Sequence, residues 1–228
     1  MDDLTLLENG EIAVTGRLID ASNASLYAEI TTGDITKKII YKPIAGERPL
    51  WDFPDGTLAD REVAAYKLSE ALGLHIVPPT IMRDGPYGPG MVQLWIEQGD
   101  DEEILELAQS RDDRLRAMVI FDAIINNTDR KFGHILVDGE RLLGCDHGVT
   151  FHEEGKLRTV LWQFCGESFT PRDAEIVERA VHLDLHFLEE HITETEMGAL
   201  RQRIHSLQQS GLFPMPSDEW PAVPWPPF

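Results

Sequence analysis

The chain has 228 residues, 42% of them hydrophobic, which is enough for one sizeable core or for two small lobes that share a cleft. Its 20 lysines and arginines against 40 aspartates and glutamates give a net charge of −20 at pH 7, which disfavours nucleic acid and stable membrane association, because anionic surfaces would repel the chain. The two cysteines show no disulfide spacing, no apolar run reaches the length of a membrane span, and the acidic N-terminus lacks a signal-peptide pattern, so we expect a cytoplasmic location.

The first part of the chain predicts an antiparallel sheet. Apolar and polar residues alternate over residues 11–20 and 24–31, with a turn at Ser22-Asn23 between them, and an apolar strand that ends at Lys42 follows over residues 35–41. Two more strands are predicted over residues 76–82 and 91–96, joined by a loop rich in glycine and proline. We expect all five strands to form one sheet.

A long insertion and a helix separate the two halves of this sheet. Residues 46–56 mix charged, aromatic and turn residues, and two interpretations stay open, an ordinary surface loop or a lid over a substrate. The pattern Thr57-x-x-Asp60 is close to a capping box and predicts a helix over residues 58–72, with Glu62 in its first turns and Gly73 after its end. Gly99-Asp100-Asp101 marks a boundary, so we predict an N-lobe over residues 1–98 and a C-lobe over residues 99–228.

Helices dominate the prediction for the C-lobe. One helix is capped by Ser110 and reaches Ile125, and others begin after Thr170 and Thr193. Residues 149–162 have strand character. The proline-rich tail over residues 213–228 excludes a helix or a central strand. Its aromatic residues favour docking of the tail on the body: Trp220, Trp225 and Phe228.

The most informative stretch covers residues 119–151. An apolar helix delivers the polar residues 126–130, a short strand follows, Asp138-Gly139 marks a hairpin turn, and the second strand ends on Asp146-His147-Gly148. Asp129 and Asp146 therefore lie at the two open ends of one small hairpin. A carboxylate that accepts a proton and a carboxylate that holds a metal can face each other in this arrangement, and phosphoryl transfer uses such a pair.

The order Asp-x4-ligand, hairpin, Asp-x-Gly resembles the catalytic and metal-binding loops of protein-kinase-like folds. The Asp-Arg dipeptide, with no His-Arg before the Asp, is similar to the phosphatidylinositol 3-/4-kinase and HipA-type branch, and the chain resembles an actinobacterial family assigned to that branch. Four segments within residues 41–152 carry the resemblance: YKPIAGERPLWDFPDGTLADREVAAY, PPTIMRDGPYGPGMVQ, NNTDRKFGHIL and DHGVTFH. It implies a two-lobed α+β protein-kinase-like fold, with an antiparallel N-lobe sheet and a mainly helical C-lobe.

The resemblance also implies where ATP would bind. Lys42 would contact the α- and β-phosphates, and Glu62 would pair with Lys42 and hold it in position. The backbone and hydroxyl of the Ser22-Asn23 turn would cover the phosphates. The hinge whose backbone meets the adenine edge would contain four consecutive residues: Gln93, Leu94, Trp95 and Ile96.

The catalytic and metal-binding roles fall on the loops around the hairpin. Asp129 would orient the acceptor hydroxyl and accept its proton, Arg130 would hold a phosphate or the loop itself, and Asp146 would bind a divalent metal. The departure from the kinase pattern is His134, which stands where kinases carry a metal-binding Asn, and neutral imidazole suits Mn²⁺ better than Mg²⁺. Three outcomes stay open: His134 binds the metal, Asp146 holds it alone or with Asn127, or catalysis is lost.

These residues predict an ATP-dependent phosphotransferase that uses Mg²⁺ or Mn²⁺ and acts on a small soluble hydroxylated acceptor. The branch resemblance suggests an inositol- or polyol-like molecule, and the negative charge disfavours a phosphoinositide lipid. Two alternatives belong to other classes. One is a nucleotide-binding pseudokinase that acts as a scaffold. The other is a metal-dependent phosphohydrolase built on four residues: Asp129, His134, Asp146 and His147.

Overall fold

Five antiparallel strands and two helices form the first part of the structure, a computed structural model that describes residues 2–18, 24–97 and 99–228. The strand order is β1-β2-β3-β5-β4, so the predicted five-stranded sheet is confirmed. The elements run in this order: α1 (Asp3–Asn9), β1 (Glu11–Arg17), β2 (Leu26–Thr32), β3 (Ile35–Pro43), α2 (Leu58–Ala71), β4 (Thr80–Gly85) and β5 (Gly88–Leu94).

The sheet is covered on one face by the short helix α1, which the sequence did not predict. Asp2 caps this helix by accepting a hydrogen bond from the Thr5 amide at 2.8 Å, and the helix buries Leu6 and Leu7 against the strands. A helix of seven residues is too short to show a clear apolar period. Strand β4 begins later than predicted because Pro78-Pro79 precedes it and proline cannot donate to a strand ladder.

Helices form most of the second part of the structure. Four helices and one hairpin run in this order: α3 (Asp101–Gln109), α4 (Asp113–Ile125), β6 (Ile135–Asp138), β7 (Arg141–Gly144), α5 (Pro171–His182) and α6 (Glu194–Ser210). Helix α4 is the centre of the core, where Ile120, Phe121 and Ile124 are fully buried. Reciprocal capping boxes begin α5 at Thr170 and α6 at Thr193, as their sequences predict.

Three features of this region differ from the prediction. Asp112, and not Ser110, caps α4, and its carboxylate accepts a hydrogen bond from the Arg114 amide at 2.9 Å. Asp100, taken as part of a boundary, is the N-cap of α3 and accepts a hydrogen bond from the Glu102 amide at 2.8 Å. The strand predicted within residues 149–162 is wrong. This segment has one isolated bridge, between Arg130 and Thr159, because its backbone bonds to the loop after α4 instead of to a neighbouring strand. The lobe boundary at residue 98 stays a prediction.

The proline-rich tail docks on the body, as predicted. The Ala222 carbonyl accepts hydrogen bonds from the Thr159 amide at 3.1 Å and from the Trp162 indole at 2.8 Å. Near the chain end, the Pro227 carbonyl accepts from the Phe132 amide at 2.9 Å. The tail therefore runs beside the loop that follows α4.

The insertion over residues 46–56 is anchored to both parts of the structure. The Glu47 carboxylate caps α2 by accepting hydrogen bonds from the amides of Leu58 and Ala59, at 3.1 and 2.8 Å. Asp52 pairs with the buried Lys156 at 3.0 Å, so the insertion reaches the segment that follows Asp146-His147-Gly148. None of the helices in the described ranges is long and apolar enough to cross a membrane.

Candidate active site

Three predicted site residues meet at one cation, the Lys42 ammonium. Lys42 lies near the end of β3, Glu62 lies in α2, and Asp146 follows β7. The Lys42 Nζ atom is 2.5 Å from Glu62 Oε1 and 2.8 Å from Asp146 Oδ1. The sheet, the helix and the hairpin loop thus bring together residues that are up to 104 positions apart in the chain.

Helix α2 is held firmly against the helical part, which positions Glu62. Arg61, next to Glu62, is buried and pairs with Glu196 of α6 at 2.5 Å, and it also donates to the Thr150 carbonyl at 2.7 Å. Glu62 itself is buried, and its second oxygen accepts a hydrogen bond from the His147 amide at 2.8 Å. Lys42, Glu62 and Asp146 border one space, which we call the cleft. The Lys42–Glu62 pair is therefore positioned by contacts from both the sheet and the helical part of the structure.

The charges in the cleft stabilise one another. Burial acts to lower the pKa of Lys42, but Asp146 and Glu62 outweigh it and hold the pKa above its ordinary value. The Lys42 ammonium in turn holds the pKa of Asp146 well below its usual range. Burial raises the pKa of Glu62, with Lys42 acting in the opposite direction. Asp146 keeps half of its side-chain surface exposed, so it presents a stable negative charge to a ligand.

The loop after α4 positions the predicted proton acceptor. Helix α4 ends at Asn126, which adopts the left-handed conformation with φ 54°, and Asn127 Oδ1 then accepts a hydrogen bond from the Asp129 amide at 3.0 Å. The Asp129 side chain is 27% exposed, and burial raises its pKa, with Lys131 acting in the opposite direction. Asp129 is thus a carboxylate with access to the cleft and with a higher proton affinity than a solvated aspartate.

Sequence analysis missed Lys131, whose ammonium lies 3.4 Å from Asp129 Oδ2. The signal was the spacing Asp129-x-Lys131, because alternate residues of an extended segment lie on the same side. Arg130, between them, faces the opposite way into the core. The cleft therefore contains a second cation, beside the predicted proton acceptor.

Arg130 is fully buried, so the interpretation in which it holds a phosphate is wrong. Its guanidinium pairs with both oxygens of Asp122 at 2.9 Å, donates to the Cys145 carbonyl at 3.0 Å and contacts His147 Nε2 at 2.7 Å. These contacts match the other interpretation, in which Arg130 holds the loop. Arg130 joins the loop that carries Asp129 to the loop that carries Asp146.

His134 lies beside Asp146, with 3.4 Å between His134 Nε2 and Asp146 Oδ2. Burial lowers the pKa of His134 to about 4, so its imidazole is neutral at pH 7 and can act as a metal ligand. One carboxylate and one imidazole form a donor set that suits Mn²⁺. The predicted ligand role of Asn127 is wrong, because Asn127 is fully buried and its amide bonds to the Asp129 amide and to Asp122.

The phosphohydrolase alternative needs a metal cluster made by the protein itself. No group of three or more His, Cys, Asp or Glu residues suited to a metal ion occurs in the described parts of the chain. His147 is fully buried, and burial lowers its pKa well below the ordinary value, so its neutral Nε2 accepts from Arg130. The proposed four-residue hydrolase site is therefore incomplete.

The structure shows that part of the predicted hinge is engaged within the sheet. Gln93 is an inner residue of β5, paired with Ile40 and Thr80 on its two sides, and its side chain is buried. The Leu94 amide donates to the Pro79 carbonyl at 2.9 Å, and the Trp95 amide donates to the Lys38 carbonyl at 3.0 Å. The amides of Leu94 and Trp95 are therefore not available to adenine, and a hinge role for the backbone carbonyls of these residues stays a prediction. Ile96, outside the sheet, stays a prediction, and Ser22 and Asn23 lie outside the described residues.

The space beside Lys42 is small in this conformation. A cavity of about 20 Å³ is bounded by Lys42, Glu47, Glu62 and Asp146, among others. A separate cavity of about 450 Å³ lies against α4 and α6 and includes none of the cleft residues in its lining. The direct Lys42–Asp146 contact borders this small cavity.

Comparisons with known proteins were made for sequence families, for curated proteins and for solved structures. No protein-family model matches the chain. The chain is 40% identical over 272 residues to Protein Rv2133c of Mycobacterium tuberculosis (strain ATCC 25618 / H37Rv), in an alignment that covers all of this chain and 96% of that protein.

Three solved structures of kinases or kinase-like proteins share the fold. Hydra Fam20 with sugar has a TM-score of 0.59 at 13% identity and covers 91% of this chain and 86% of its own. The Golgi casein kinase with Mn/ADP bound has a TM-score of 0.57 at 14% identity, and the match covers 92% of this chain and 76% of the casein kinase chain. The Helicobacter pylori proinflammatory kinase CtkA has a TM-score of 0.52 at 13% identity, with coverages of 90% and 93%.

These similarities, together with the antiparallel sheet and the helical second part, confirm the predicted α+β protein-kinase-like fold. At these identities they show the fold alone. They do not single out the phosphatidylinositol 3-/4-kinase and HipA-type branch, so that finer placement stays a prediction.

Proposed function

The chain belongs to the same family as the mycobacterial protein Rv2133c, and from its kinase-like fold and the geometry of its cleft we propose that it is an ATP-dependent phosphotransferase. The observation that carries the proposal is the contact of Lys42 with both Glu62 and Asp146, which come from a strand, a helix and a loop far apart in sequence.

Nucleotide binding would replace one contact in the cleft. Asp146 and His134 would hold a divalent metal, which supplies charge neutralisation for the phosphates when it is bound. Asp146 would then exchange its contact with Lys42 for the metal. Lys42, still held by Glu62 at 2.5 Å, would direct its ammonium to the phosphates. The small cavity beside Lys42 would open by this exchange of partners.

Asp129 would act on the acceptor. The acceptor oxygen forms a bond to the γ-phosphorus, the bond from that phosphorus to the β,γ-bridging oxygen breaks, ADP leaves, and Asp129 accepts the hydroxyl proton. The raised pKa of Asp129 favours this role, because burial makes its carboxylate a stronger base than a solvated aspartate. Lys131, 3.4 Å away, would place positive charge near the transferred group.

The comparisons support the cofactor and the class of acceptor without establishing either. The Golgi casein kinase structure contains Mn and ADP, and the hydra Fam20 structure contains a sugar. By analogy with these, we propose ATP with Mn²⁺ or Mg²⁺ and a small soluble hydroxylated acceptor, with an inositol- or polyol-like molecule as the finer form of the proposal. A location in the cytoplasm, without nucleic acid or membrane partners, is part of the same proposal.

The pseudokinase scaffold remains the competing function, and one observation favours it. His134 stands where the resemblance expects a metal-binding Asn, and the Lys42–Asp146 contact at 2.8 Å pairs the two groups that would bind phosphates and metal. The two functions differ in turnover. A phosphotransferase produces ADP in the presence of an acceptor, and a scaffold binds nucleotide without producing it.

Calorimetric titration of Lys42→Met with ATP and Mn²⁺ tests the proposal. The variant keeps the apolar stem and loses the ammonium, so we expect the Kd for metal–ATP to rise roughly 10- to 100-fold, the usual scale for hydrogen bonds to a charged group. Lys37→Met is the matched control, because Lys37 lies in the same strand and pairs with Asp3 on the surface. Equal Kd values for the wild-type protein and Lys42→Met would remove Lys42 from the nucleotide site.

A further inference from the structure

Arg158 lies beside the predicted proton acceptor. Its amide donates to the Asn127 carbonyl at 3.0 Å, and its carbonyl accepts from the Arg130 amide at 3.1 Å, so its backbone runs along the loop that contains Asp129. Its Nε atom donates to the Thr128 carbonyl at 2.7 Å. Two backbone bonds and one side-chain bond therefore fix the base of the Arg158 guanidinium next to Asp129.

Among the residues that the structure describes, no carboxylate forms an ion pair with Arg158, and the Nε contact is its one side-chain hydrogen bond, so its two terminal nitrogens have no described protein partner. Arg114 and Arg116, for comparison, each pair with an aspartate at 2.7 Å. A partly buried arginine with two unused donor nitrogens is suited to a planar or tetrahedral oxyanion.

Lys131 supplies a second cation in the same place. Its ammonium is 3.4 Å from Asp129 Oδ2, and its side chain is 19% exposed. Burial raises the pKa of Asp129, Lys131 and Arg158 act to lower it, and the nearby Asp146 acts to raise it. Lys131 and Arg158 therefore offset the negative charges of Asp129 and Asp146 at this position of a strongly acidic protein.

We propose that Arg158 and Lys131 form an anion-binding subsite for the acceptor, so that the acceptor is a hydroxylated molecule that also carries a phosphate or a carboxylate. The inference rests on the proposed phosphotransfer, because Asp129 marks the position of the reacting hydroxyl. The anionic group would lie on the guanidinium while the hydroxyl lies at Asp129. The chain's overall charge of −20 repels anions at a distance, so recognition requires these local contacts.

Binding of three matched probes tests the subsite. Glucose 6-phosphate, gluconate and glucose are all polyhydroxylated, and they carry a phosphate, a carboxylate and no charge. Each is titrated by calorimetry into the protein saturated with Mn²⁺ and a non-hydrolysable ATP analogue, which fills the position of the γ-phosphate. We expect at least one anionic probe to bind roughly tenfold or more tightly than glucose, on the scale of a charged hydrogen bond, and the preferred probe identifies the anionic group.

Variants of Arg158 separate recognition from structural support. Arg158→Gln should lose roughly tenfold or more of the affinity for the preferred anion, and Arg158→Lys should recover part of it. Arg172→Gln, at an exposed position of α5, is the matched control and should bind as the wild-type protein does. If Arg158→Gln lowers the melting temperature but leaves anion affinity unchanged, Arg158 only supports the loop and the inference is wrong.

Three other outcomes also overturn the subsite. These are equal binding of all three probes, no binding of either anion, or a loss in Arg158→Gln that falls on the nucleotide analogue instead of the anion. Failure of the proposed phosphotransfer is distinct, because it would show as no binding of the nucleotide analogue to the wild-type protein, or as no ADP production from ATP with any acceptor. The same probe titrations on the nucleotide-free protein would still report on the subsite in that case.

Discussion

Two clusters of charged residues lie next to each other in this protein, and they differ in what they leave exposed. The buried cluster contains Asp122, Arg130 and His147, and the side chains of Asp122 and Arg130 are 1% and 0% exposed. The cleft cluster contains Lys42, Glu62 and Asp146, where the side chain of Asp146 is 50% exposed. Both clusters are built around one cation and its carboxylate partners.

The difference lies in which partners can be exchanged. In the buried cluster the Arg130 guanidinium bonds to Asp122, to His147 and to two backbone carbonyls, so its donors are used inside the protein. In the cleft cluster Asp146 faces solvent and can exchange Lys42 for a metal. A charge with saturated, buried partners supports the fold, and a charge with exposed partners can take part in binding. Glu62 links the clusters, because its carboxylate contacts both Lys42 and the His147 amide.

The largest effect is expected from a substitution that breaks the buried cluster. Asp122→Ala leaves the Arg130 guanidinium buried without its carboxylate, which we expect to cost about 3–5 kcal/mol in the free energy of unfolding. Asp146→Ala is the matched removal in the cleft cluster, and we expect a change within about 1 kcal/mol, because Asp146 is half exposed and Lys42 keeps Glu62. Urea unfolding measures both values, and equal losses would show that the clusters do not differ in the way described.

The pH dependence of turnover distinguishes the role of Asp129 from the role of Asp146 within the cleft. The pKa of Asp129 is raised by burial, so on acidification it gains its proton at a higher pH than a free aspartate does, and the base is lost. Below that pKa we expect turnover to fall about tenfold per pH unit. The pKa of Asp146 is held low by Lys42 and the pKa of His134 is lowered to about 4, so binding of Mn²⁺ and ADP should persist until the pH falls to about 4. Turnover and ADP affinity are measured over the same pH series. If both decrease together as the pH falls, the separate roles of Asp129 and Asp146 are contradicted.

The smallest expected effect concerns metal preference. His134, with its pKa lowered to about 4, presents a neutral nitrogen beside Asp146, so Mn²⁺ should support turnover better than Mg²⁺. His134→Asn replaces that nitrogen by an amide oxygen and should shift the preference toward Mg²⁺ by a few-fold. Turnover rates with Mn²⁺ and with Mg²⁺ are measured for the wild-type protein and for His134→Asn, and the ratio of the two rates gives the metal preference of each. An unchanged ratio would exclude His134 as a ligand.

Local signals predicted the sheet, because turn residues bound its strands, and the resemblance to protein-kinase-like folds predicted the cleft cluster. The capping box predicted for α2 is wrong, because Thr57 makes no side-chain capping bond and the Glu47 carboxylate caps the helix instead. Chain order alone cannot say which way a side chain points within a loop. Arg130 was therefore assigned to catalysis, although it faces the core, and its neighbour Lys131 was missed, although it faces the cleft.

The remaining errors come from contacts between distant segments. The backbone of residues 156–160 bonds to the loop after α4 instead of extending as a strand, and Asn127 uses its amide to hold Asp129 and Asp122. Within the predicted hinge, the amides of Leu94 and Trp95 bond to Pro79 and Lys38 and are not free for adenine. These partners are separated by about fifteen residues or more in most cases, and no local pattern reports them.

The most direct test of the central claim compares two amide variants in the cleft. Asp146→Asn loses the charge that would hold the metal, so metal–ATP affinity and turnover should fall together. Asp129→Asn keeps the metal position and loses proton acceptance, so it should bind metal–ATP nearly as the wild-type protein does, while ADP production falls roughly 10²- to 10⁴-fold. Calorimetric affinity and ADP production are measured for both variants. If Asp129→Asn loses metal–ATP affinity as severely as Asp146→Asn, or if the wild-type protein binds ATP and produces no ADP with any acceptor, the proposed division of roles is contradicted.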